Sequence, residues 1–247
     1  MIYKFKNEEI SYKFFDRKSD VTNVFLHGWG CDSKSLFFCN KYAHANNLFL
    51  DFPPFGESSK DISGWTIFTY ANMVISLCEH LGLKKINVIG HSFGGRVAII
   101  MSVLCKEMVQ KIVLIDSAGL KPKRSLSYYL KVLTYKIRKR LGLDISKYGS
   151  CDYLALSPQM RKIFSSVVST HLDEFLPFIK CETLIMFGKD DKVTPVYMAK
   201  KLKKKIKKSR LVLFEDAGHF CFVDKRLEFV SRSEEHTSEL QSQSTIS

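Results

Sequence analysis

The chain alternates short apolar runs with longer segments of helix length, and this alternation restricts the possible folds more than any other feature. Each apolar run is bounded by turn residues. Continuous apolar strands of this kind are typical of a parallel sheet that is covered on both faces. The sequence therefore predicts an α/β fold with a doubly wound, mostly parallel sheet. The predicted strands are residues 23–28, 48–52, 86–90, 112–116, 183–188 and 210–215.

Helices are predicted between these strands. Residues 65–82 form a candidate helix that ends in glycine, a residue that commonly stops helices. Residues 93–107 are apolar on nearly every side, so we expect a buried helix there. Two early runs, IYKFK and ISYKFF, predict an antiparallel hairpin at the start of the sheet.

One stretch, from Leu120 to about Pro177, contains no predicted strand. Five apolar residues at steps of four, three, four and four predict one amphipathic helix. Ser157 followed by Pro158 predicts the N-cap and first turn of another helix. An insertion of roughly 55 residues is long enough to form a helical cap, or lid, rather than a loop. The stepped residues are Leu126, Leu130, Leu133, Ile137 and Leu141.

The last residues differ in composition from everything before them. From Arg232 the chain is polar, rich in serine and without an apolar period, and RSEEHTSELQS resembles the conceptual translation of a sequencing adaptor. We therefore expect the natural sequence to stop near Val230, inside a final helix at 225–230. The predicted organisation is a core formed by 1–119 and 178–230, a cap at 120–177, and a disordered, non-native tail at 231–247.

The composition excludes several classes of function. The 247 residues are 45% hydrophobic and carry a net charge of +13, concentrated partly in lysine-rich runs at 136–140 and 200–210. Neither run accompanies an aromatic RNA platform, a zinc finger or a helix-turn-helix, so we interpret both as solvated helix faces. A polyanion or membrane-surface role is the alternative interpretation.

The apolar pattern and the N-terminal residues bear on membrane association and location. No apolar stretch approaches the ~18–20 residues that span a bilayer, and the N-terminal residues lack the apolar core of a secretory signal. We therefore expect a cytoplasmic protein with no nucleic-acid partner and no integral membrane association. The seven cysteines contain no C-x-x-C pair, and their spacing fits neither a zinc site nor a disulfide framework. The oligomeric state stays open.

A serine lies where a predicted strand gives way to a predicted helix. Gly90-His91-Ser92-Phe93-Gly94 matches G-x-S-x-G in this strand–turn–helix context. A sharp turn forces Ser92 into a strained backbone conformation and holds its hydroxyl above the carboxyl edge of the sheet. A side chain at Gly90 or Gly94 would collide with that turn. The Phe93 N–H would lie at a helix N-terminus, free to bind developing negative charge.

A serine hydroxyl needs a base to act as a nucleophile. FGKDDKVTP places acids after one predicted strand, and EDAGHF places His219 after the next. Loops that follow parallel strands gather at one sheet edge, so Ser92, Asp191 and His219 can meet there. Asp190 is an alternative acid because spacing does not fix a turn to one residue. Asp116 is a further candidate, although an ordinary strand-end role explains it better.

These motifs together resemble the α/β-hydrolase superfamily of serine hydrolases over residues 20–119 and 178–224, with the insertion where this family carries its cap. HGWG at 27–30 resembles the oxyanion-hole motif of the family. DFPPFGESS at 51–59 resembles its D-x-P-G-F-G-x-S loop, with Pro54 in place of the usual glycine. G-x-x-D-x-x-x-P at 188–195 assigns the acid to Asp191.

The resemblance implies that His219 removes the Ser92 proton while Asp191 orients and stabilises the imidazole. It implies an oxyanion hole made by the backbone N–H groups of Trp29 and Phe93, and neither a metal nor an organic cofactor. His27 and His91 are expected to hold neighbouring loops by hydrogen bonds. Candidate substrate contacts are Trp29, Tyr128 and Tyr129, for which core contact is an alternative.

The expected reaction is hydrolysis of small carboxylic esters, so the expected partner is a small-molecule substrate. A serine nucleophile excludes the relatives that use an aspartate at this position. C–C bond hydrolysis of dienoic keto acids, as performed by meta-cleavage-product hydrolases, is compatible with the same residues. A ligand-binding receptor with slow turnover is a third possibility. A basic interaction protein with a decayed site is a fourth, which the complete set of Ser, His and Asp disfavours.

Overall fold

The apolar runs form one eight-stranded sheet. A computed structural model describes residues 1–42, 44–123, 126–141, 143–144, 153 and 156–238, without the side chains of 126–129, 131, 139 and 238. The sheet order is β1-β2-β4-β3-β5-β6-β7-β8. The strands are β1 (Ile2–Phe5), β2 (Glu8–Phe15), β3 (Val21–Leu26), β4 (Asn46–Leu50), β5 (Lys85–His91), β6 (Val109–Ile115), β7 (Glu182–Gly188) and β8 (Ser209–Phe214).

The sheet is parallel except at one edge. From β4 to β8 all neighbouring strands run in the same direction. The predicted antiparallel hairpin is present as β1 and β2, and β2 continues antiparallel against β4. The predicted doubly wound, mostly parallel α/β sheet is therefore confirmed.

Helices and two 3-10 segments cover both faces of the sheet. Neighbouring residues along a strand, such as Val88 and Ile89 of β5, belong to separate apolar clusters on opposite faces. This double burial explains why the strands read as continuous apolar runs. The helices are α1 (Ile67–His80), α2 (Phe93–Leu104), α3 (Leu126–Arg140), α4 (Pro158–Ser169), α5 (Val196–Lys205), α6 (Cys221–Asp224) and α7 (Arg226–Ser238), with 3-10 helices at Ser33–Lys41 and Leu176–Phe178.

The two helices that flank β5 follow their sequence signals. The Thr66 side chain caps α1 by accepting a hydrogen bond from the Thr69 N–H. The helix stops before Gly82, which adopts a φ of +68°, as the glycine signal predicts. The α2 helix is buried from Phe93 to Ser102, as expected for a segment that is apolar on nearly every side.

The described part of the insertion between β6 and β7 contains the helices α3 and α4 and no strand. The Ser157 hydroxyl accepts a hydrogen bond from the Met160 N–H and Pro158 opens α4, as predicted. Ile163 and Val167 of this helix are buried against the core.

The predicted amphipathic helix of the insertion is present as α3, but its apolar stripe faces outward. Leu130, Leu133, Ile137 and Leu141 are each about half exposed or more. Helical periodicity therefore identified the element correctly without identifying what covers its apolar face.

No described helix combines the length and the apolarity that crossing a membrane requires.

Two segments near the C-terminus differ from expectation. The lysine-rich helix α5 ends at Lys205 rather than continuing to 210, because residues 207–208 form a turn and Arg210 already belongs to β8. The final helix α7 continues to Ser238 instead of stopping near Val230. His236 is buried, and its carbonyl accepts a hydrogen bond from the buried Lys111 ammonium. Residues 231–238 are therefore helical, and 239–247 lie outside the described part.

Candidate active site

Ser92 occupies the junction between β5 and α2 with a strained backbone. Its φ of 48° and ψ of −102° lie outside the regions that residues with a side chain favour. The Ser92 N–H donates to the Ile115 carbonyl at 2.9 Å, and the Ser92 carbonyl accepts from the N–H groups of Gly95 and Ala118, each at 3.1 Å. Hydrogen bonds on both sides of the residue hold a conformation that costs about 1–3 kcal/mol.

Glycines at 90 and 94 are required by space. A Cβ added to Gly90 would lie 2.4 Å from the Gly94 carbonyl oxygen, and a Cβ added to Gly94 would lie 2.2 Å from the Leu26 carbonyl oxygen. Both obstacles are backbone atoms, which cannot rotate away. The predicted collision with the turn is confirmed for Gly90, whereas at Gly94 the obstacle is Leu26 at the end of β3.

The structure brings Ser92, His219 and Asp191 together in series. The His219 Nε2 lies 3.0 Å from the Ser92 Oγ, and the His219 Nδ1 lies 2.8 Å from the Asp191 Oδ2. A carboxylate only accepts hydrogen bonds, so the Nδ1 carries the proton. The Nε2 lone pair consequently faces the serine hydroxyl, which is the arrangement that a general base needs.

Asp191 is buried at the start of a tight loop that satisfies its carboxylate. The Oδ1 accepts the N–H groups of Val193 and Thr194 at 2.7 and 2.9 Å, and the Oδ2 also accepts the Thr194 hydroxyl at 2.6 Å. Burial acts to raise the pKa of Asp191, but the hydrogen bonds from His219 and Thr194 outweigh it and lower the pKa. Asp191 therefore stays ionised beside the imidazole.

The two alternative acids occupy other environments. Asp190 is exposed. Asp116 is fully buried, and its oxygens accept the N–H groups of Gly188 at 2.8 Å and Cys221 at 3.2 Å. Burial raises the pKa of Asp116 to about 6. Its carboxyl group therefore ties the loop after β6 to the loops after β7 and β8, and Asp191 is the acid that contacts His219.

The two other histidines of the motifs hydrogen-bond to neighbouring backbone, as expected. His91 is buried, and its Nε2 donates to the carbonyl of His219 at 2.8 Å. Burial lowers the pKa of His91 to about 3, so His91 stays neutral near neutral pH. The His27 Nε2 accepts the N–H of Phe52 at 2.8 Å, while its Nδ1 donates to the Gly28 carbonyl at 2.8 Å.

A cavity of about 670 Å³ opens beside Ser92 and His219 and takes part of its wall from α4. Trp29 lines it, and its ring meets those of Phe55, Phe93 and Phe164 edge-on at 5.0 to 5.4 Å. The remaining side of the cavity is mainly aliphatic. Its members include Leu120, Leu156, Val167, Val168, Val193 and Met198. The side chains of Tyr128 and Tyr129, predicted as substrate contacts, lie outside the described residues.

Two backbone N–H groups next to the serine are available to a ligand. Within the described part of the chain, neither the Trp29 nor the Phe93 N–H donates a hydrogen bond to a protein acceptor. Phe93 is the first residue of α2, where the helix dipole adds partial positive charge. This is the environment expected for the predicted oxyanion donors.

Sequence reasoning missed two residues. Thr194 lies in the same loop as Asp191, and the hydroxyl in DKVTP was a visible signal, since threonine side chains commonly form local hydrogen bonds in loops. Arg96 lines the cavity although it is only 7% exposed, and its Nη1 donates to the carbonyls of Val167 and Thr170 at 2.9 and 2.8 Å. A single arginine inside an otherwise apolar helix was the signal for it.

The parallel sheet, the strained serine turn and the Ser–His–Asp series at one sheet edge define a hydrolase with an α/β hydrolase fold. The sequence model of the α/β hydrolase fold family matches residues 24–133 and 134–226. The chain belongs to this family, and it is a hydrolytic enzyme.

Relatives in sequence agree with this assignment. A proline iminopeptidase of Lactobacillus crispatus is 29% identical over 277 aligned positions, which cover 92% of this chain and 93% of that protein. The AB hydrolase superfamily protein YisY of Bacillus subtilis is 28% identical over 236 positions, which cover 82% of this chain and 86% of that protein.

Solved structures share the fold. An esterase from Exiguobacterium antarcticum superposes with a TM-score of 0.75 at 22% identity, covering 94% of this chain and 96% of that one. A meta-cleavage product hydrolase from Pseudomonas fluorescens superposes with a TM-score of 0.71 at 18% identity, covering 95% and 96%. At these identities the likeness concerns the fold alone.

Proposed function

We propose that this enzyme is a serine hydrolase that cleaves small carboxylic esters through Ser92, His219 and Asp191 and an acyl-enzyme intermediate. One observation carries the proposal. A continuous hydrogen-bond path runs from the Ser92 hydroxyl through the His219 ring to the ionised Asp191 carboxylate. Such a path activates an otherwise weak hydroxyl nucleophile.

In the first half of the reaction, the His219 Nε2 takes the hydroxyl proton as the Ser92 Oγ attacks the ester carbonyl. The resulting imidazolium is stabilised by Asp191 through the Nδ1–H. When the tetrahedral intermediate collapses, the same Nε2 returns the proton to the departing alcohol, and the acyl group stays on Ser92. In the second half, water replaces the alcohol and the steps run again, which releases the carboxylic acid.

The tetrahedral intermediates carry a negative oxygen that needs hydrogen-bond donors. The unoccupied N–H groups of Trp29 and Phe93 support this role, since both belong to residues that line the cavity beside Ser92. Each donor of this kind is typically worth ~3–4 kcal/mol of the barrier. The α2 dipole adds to the Phe93 contribution.

The lining of the cavity favours esters over the substrates of an iminopeptidase. An N-terminal proline carries a positive charge, and a site for it needs an acidic partner. Among the described residues that line the cavity there is no aspartate or glutamate, whereas Arg96 supplies a cation. The aliphatic and aromatic walls suit an uncharged acyl or alkyl portion.

The test is hydrolysis of p-nitrophenyl esters of increasing acyl length, from acetate to octanoate. Ser92→Ala should lower kcat/KM by about 10⁴-fold or more. Ser166→Ala, which removes a hydroxyl from α4 outside this cavity, is the matched control and should retain full activity. A fluorophosphonate should label the wild type at Ser92 and leave Ser92→Ala unlabelled.

Three outcomes would replace the proposal. Equal activity in Ser92→Ala and the wild type would remove the serine mechanism. Stoichiometric labelling of Ser92 without measurable turnover of any ester would indicate a ligand-binding receptor. A dienoic keto acid cleaved much faster than every ester would indicate C–C bond hydrolysis by the same residues.

A further inference from the structure

Arg96 is a buried cation in the wall of the cavity. It lies on α2 four residues after Ser92, so the two residues are separated by about one helical turn. Only 7% of its surface is exposed, and it lines the same cavity as Ser92 and His219. Arginine is almost never buried to this degree without a partner.

The contacts of this guanidinium leave most of its donors unused. The Nη1 donates to the carbonyls of Val167 and Thr170, at the C-terminal end of α4. Within the described part of the chain, the Nε and Nη2 have no hydrogen-bond partner, and Arg96 forms no ion pair with any carboxylate. One edge of the guanidinium is therefore free.

The charge persists despite its burial. Burial lowers the pKa of Arg96 to about 10, which is still well above neutral pH, so the group remains protonated. The α4 carbonyls and the negative end of the helix dipole offset part of the desolvation cost. They do not supply a counter-charge, and a buried cation without one is strongly destabilising.

We propose that the free edge of Arg96 binds a carboxylate of the substrate, so that the enzyme prefers esters that carry a second, ionised carboxyl group. The planar guanidinium offers parallel N–H donors that match the two oxygens of a carboxylate. Its position, one turn of α2 from the nucleophile, places the bound carboxylate a short chain away from the scissile ester. This inference rests on the proposed ester hydrolysis and names the class of ester.

A purely structural role is the competing explanation, since Arg96 also joins α2 to the inserted helix α4. If Arg96 only held α4 in place, its replacement would slow all esters equally. Binding of a carboxylate instead predicts a selective loss. The decisive quantity is therefore the ratio of kcat/KM between a carboxylate ester and its uncharged carboxamide analogue.

Two matched pairs of substrates cover both sides of the ester bond. On the acyl side, mono-p-nitrophenyl adipate is compared with the p-nitrophenyl ester of adipic acid monoamide. On the alcohol side, the butyrate ester of 4-hydroxybenzoate is compared with that of 4-hydroxybenzamide. The wild type should prefer the carboxylate in at least one pair by tenfold or more, and that pair identifies the side on which the carboxylate is recognised.

The variants separate charge from geometry. Arg96→Met should reduce kcat/KM for the preferred carboxylate ester on the order of 10²-fold, while the carboxamide ester changes only a few-fold. Arg96→Lys keeps the charge without the planar fork and should lose part of the preference. Lys162→Met removes an exposed cation of α4 that does not line this cavity, and it should keep the wild-type ratio. If Arg96→Met does not fold, the ratio measured with Arg96→Lys still tests the proposal.

A binding measurement makes the outcome independent of turnover. At least one of adipic acid monomethyl ester and the butyrate ester of 4-hydroxybenzoate should bind Ser92→Ala by calorimetry. That affinity should be lost in Ser92→Ala/Arg96→Met and reduced in Ser92→Ala/Arg96→Lys. Equal effects on both members of each pair, or binding that survives both double variants, would overturn the role of Arg96. If instead no ester is hydrolysed but the calorimetric result holds, the proposed reaction fails and the carboxylate site stands.

Discussion

A methyl group at Gly90 should disable the turn that presents Ser92. Its Cβ would lie 2.4 Å from the Gly94 carbonyl oxygen, 2.5 Å from the Gly94 carbonyl carbon and 2.7 Å from the Gly95 nitrogen. Real Cβ contacts essentially never fall below 3.0 Å, so the first turn of α2 has to move by at least 0.6 Å. Ser92 lies between the two colliding segments and moves with them.

The displacement sets the expected magnitudes for Gly90→Ala. A misplacement of about 1 Å at a reacting group costs roughly 10²-fold in rate, so kcat/KM should fall about 10- to 100-fold. Overpacking of about 1–3 kcal/mol should lower Tm by about 3–10 °C in a protein of this size. The assays are hydrolysis of p-nitrophenyl butyrate, the rate of fluorophosphonate labelling, and thermal unfolding followed by circular dichroism.

Gly218→Ala is the matched control, because Gly218 also adjoins a site residue, His219, and also has no positive φ. A Cβ there would meet only the Asp224 Oδ2, at an ordinary 3.9 Å. This variant should keep its labelling rate and its activity within about twofold. If Gly90→Ala labels and turns over as fast as Gly218→Ala, then the crowded turn does not position the nucleophile and the argument is wrong.

Three further predictions concern the groups around His219. Asp191→Asn should lower kcat/KM by about 10⁴-fold because the amide stabilises the wrong imidazole tautomer, whereas Asp190→Asn should leave steady-state rates unchanged. Thr194→Val should lower kcat about tenfold because it removes a hydrogen bond to the Asp191 carboxylate, and Thr194→Ser should keep the wild-type kcat. An unchanged kcat in Thr194→Val would contradict this prediction. His91 is neutral in the folded protein, with a pKa of about 3 against about 6.5 when unfolded, so the unfolded state binds the extra proton and stability falls as pH drops below 6.5. Between about pH 6.5 and pH 4, the free energy of unfolding from urea titrations should therefore fall less in His91→Gln than in the wild type. The difference should be on the order of 3 kcal/mol.

The core of the fold and the reacting groups could be predicted because their signals are local. Continuous apolar strands require a sheet that is covered on both faces, and the spacing of Gly90, Ser92 and Gly94 fixes a turn that only small residues allow. Chain order and the rule that parallel strands share a carboxyl edge then bring Asp191 and His219 to the serine. Each motif spans about ten positions or fewer, and one topological rule brings the distant motifs together.

The missed features depend on contacts between distant segments. Periodicity identified α3, but it could not tell that Leu130 and Leu133 would face outward, because the pattern does not show what lies opposite. Composition predicted a disordered tail after Val230, yet α7 continues to Ser238, and His236 is buried near the strand residue Lys111. The partners of Arg96 are about seventy residues away and could not be read from its own helix.

The precision of the site depends on buried polar bonds between loops rather than on the reacting groups themselves. Asp116 accepts the N–H groups of Gly188 and Cys221, which ties together the loops that carry Asp191 and His219. His91, next to the serine, fixes the backbone of His219 by a second bond. The Ser92 turn has three backbone hydrogen bonds of its own, and at about 1 kcal/mol each they can offset a strain of about 1–3 kcal/mol.

These bonds all lie within the sheet core, whereas the cavity takes part of its wall from α4 of the inserted segment. Substitutions in these two parts should therefore affect different properties of the enzyme. Changes in the core loops should alter kcat for every substrate, because they displace the nucleophile, its base or its acid. Changes in the wall under α4 should alter the choice among substrates while the fluorophosphonate reactivity of Ser92 stays constant. Arg96 lines the cavity and also lies on α2 of the core, where it contacts α4, and for that reason only the ratio between matched substrates can separate its two roles.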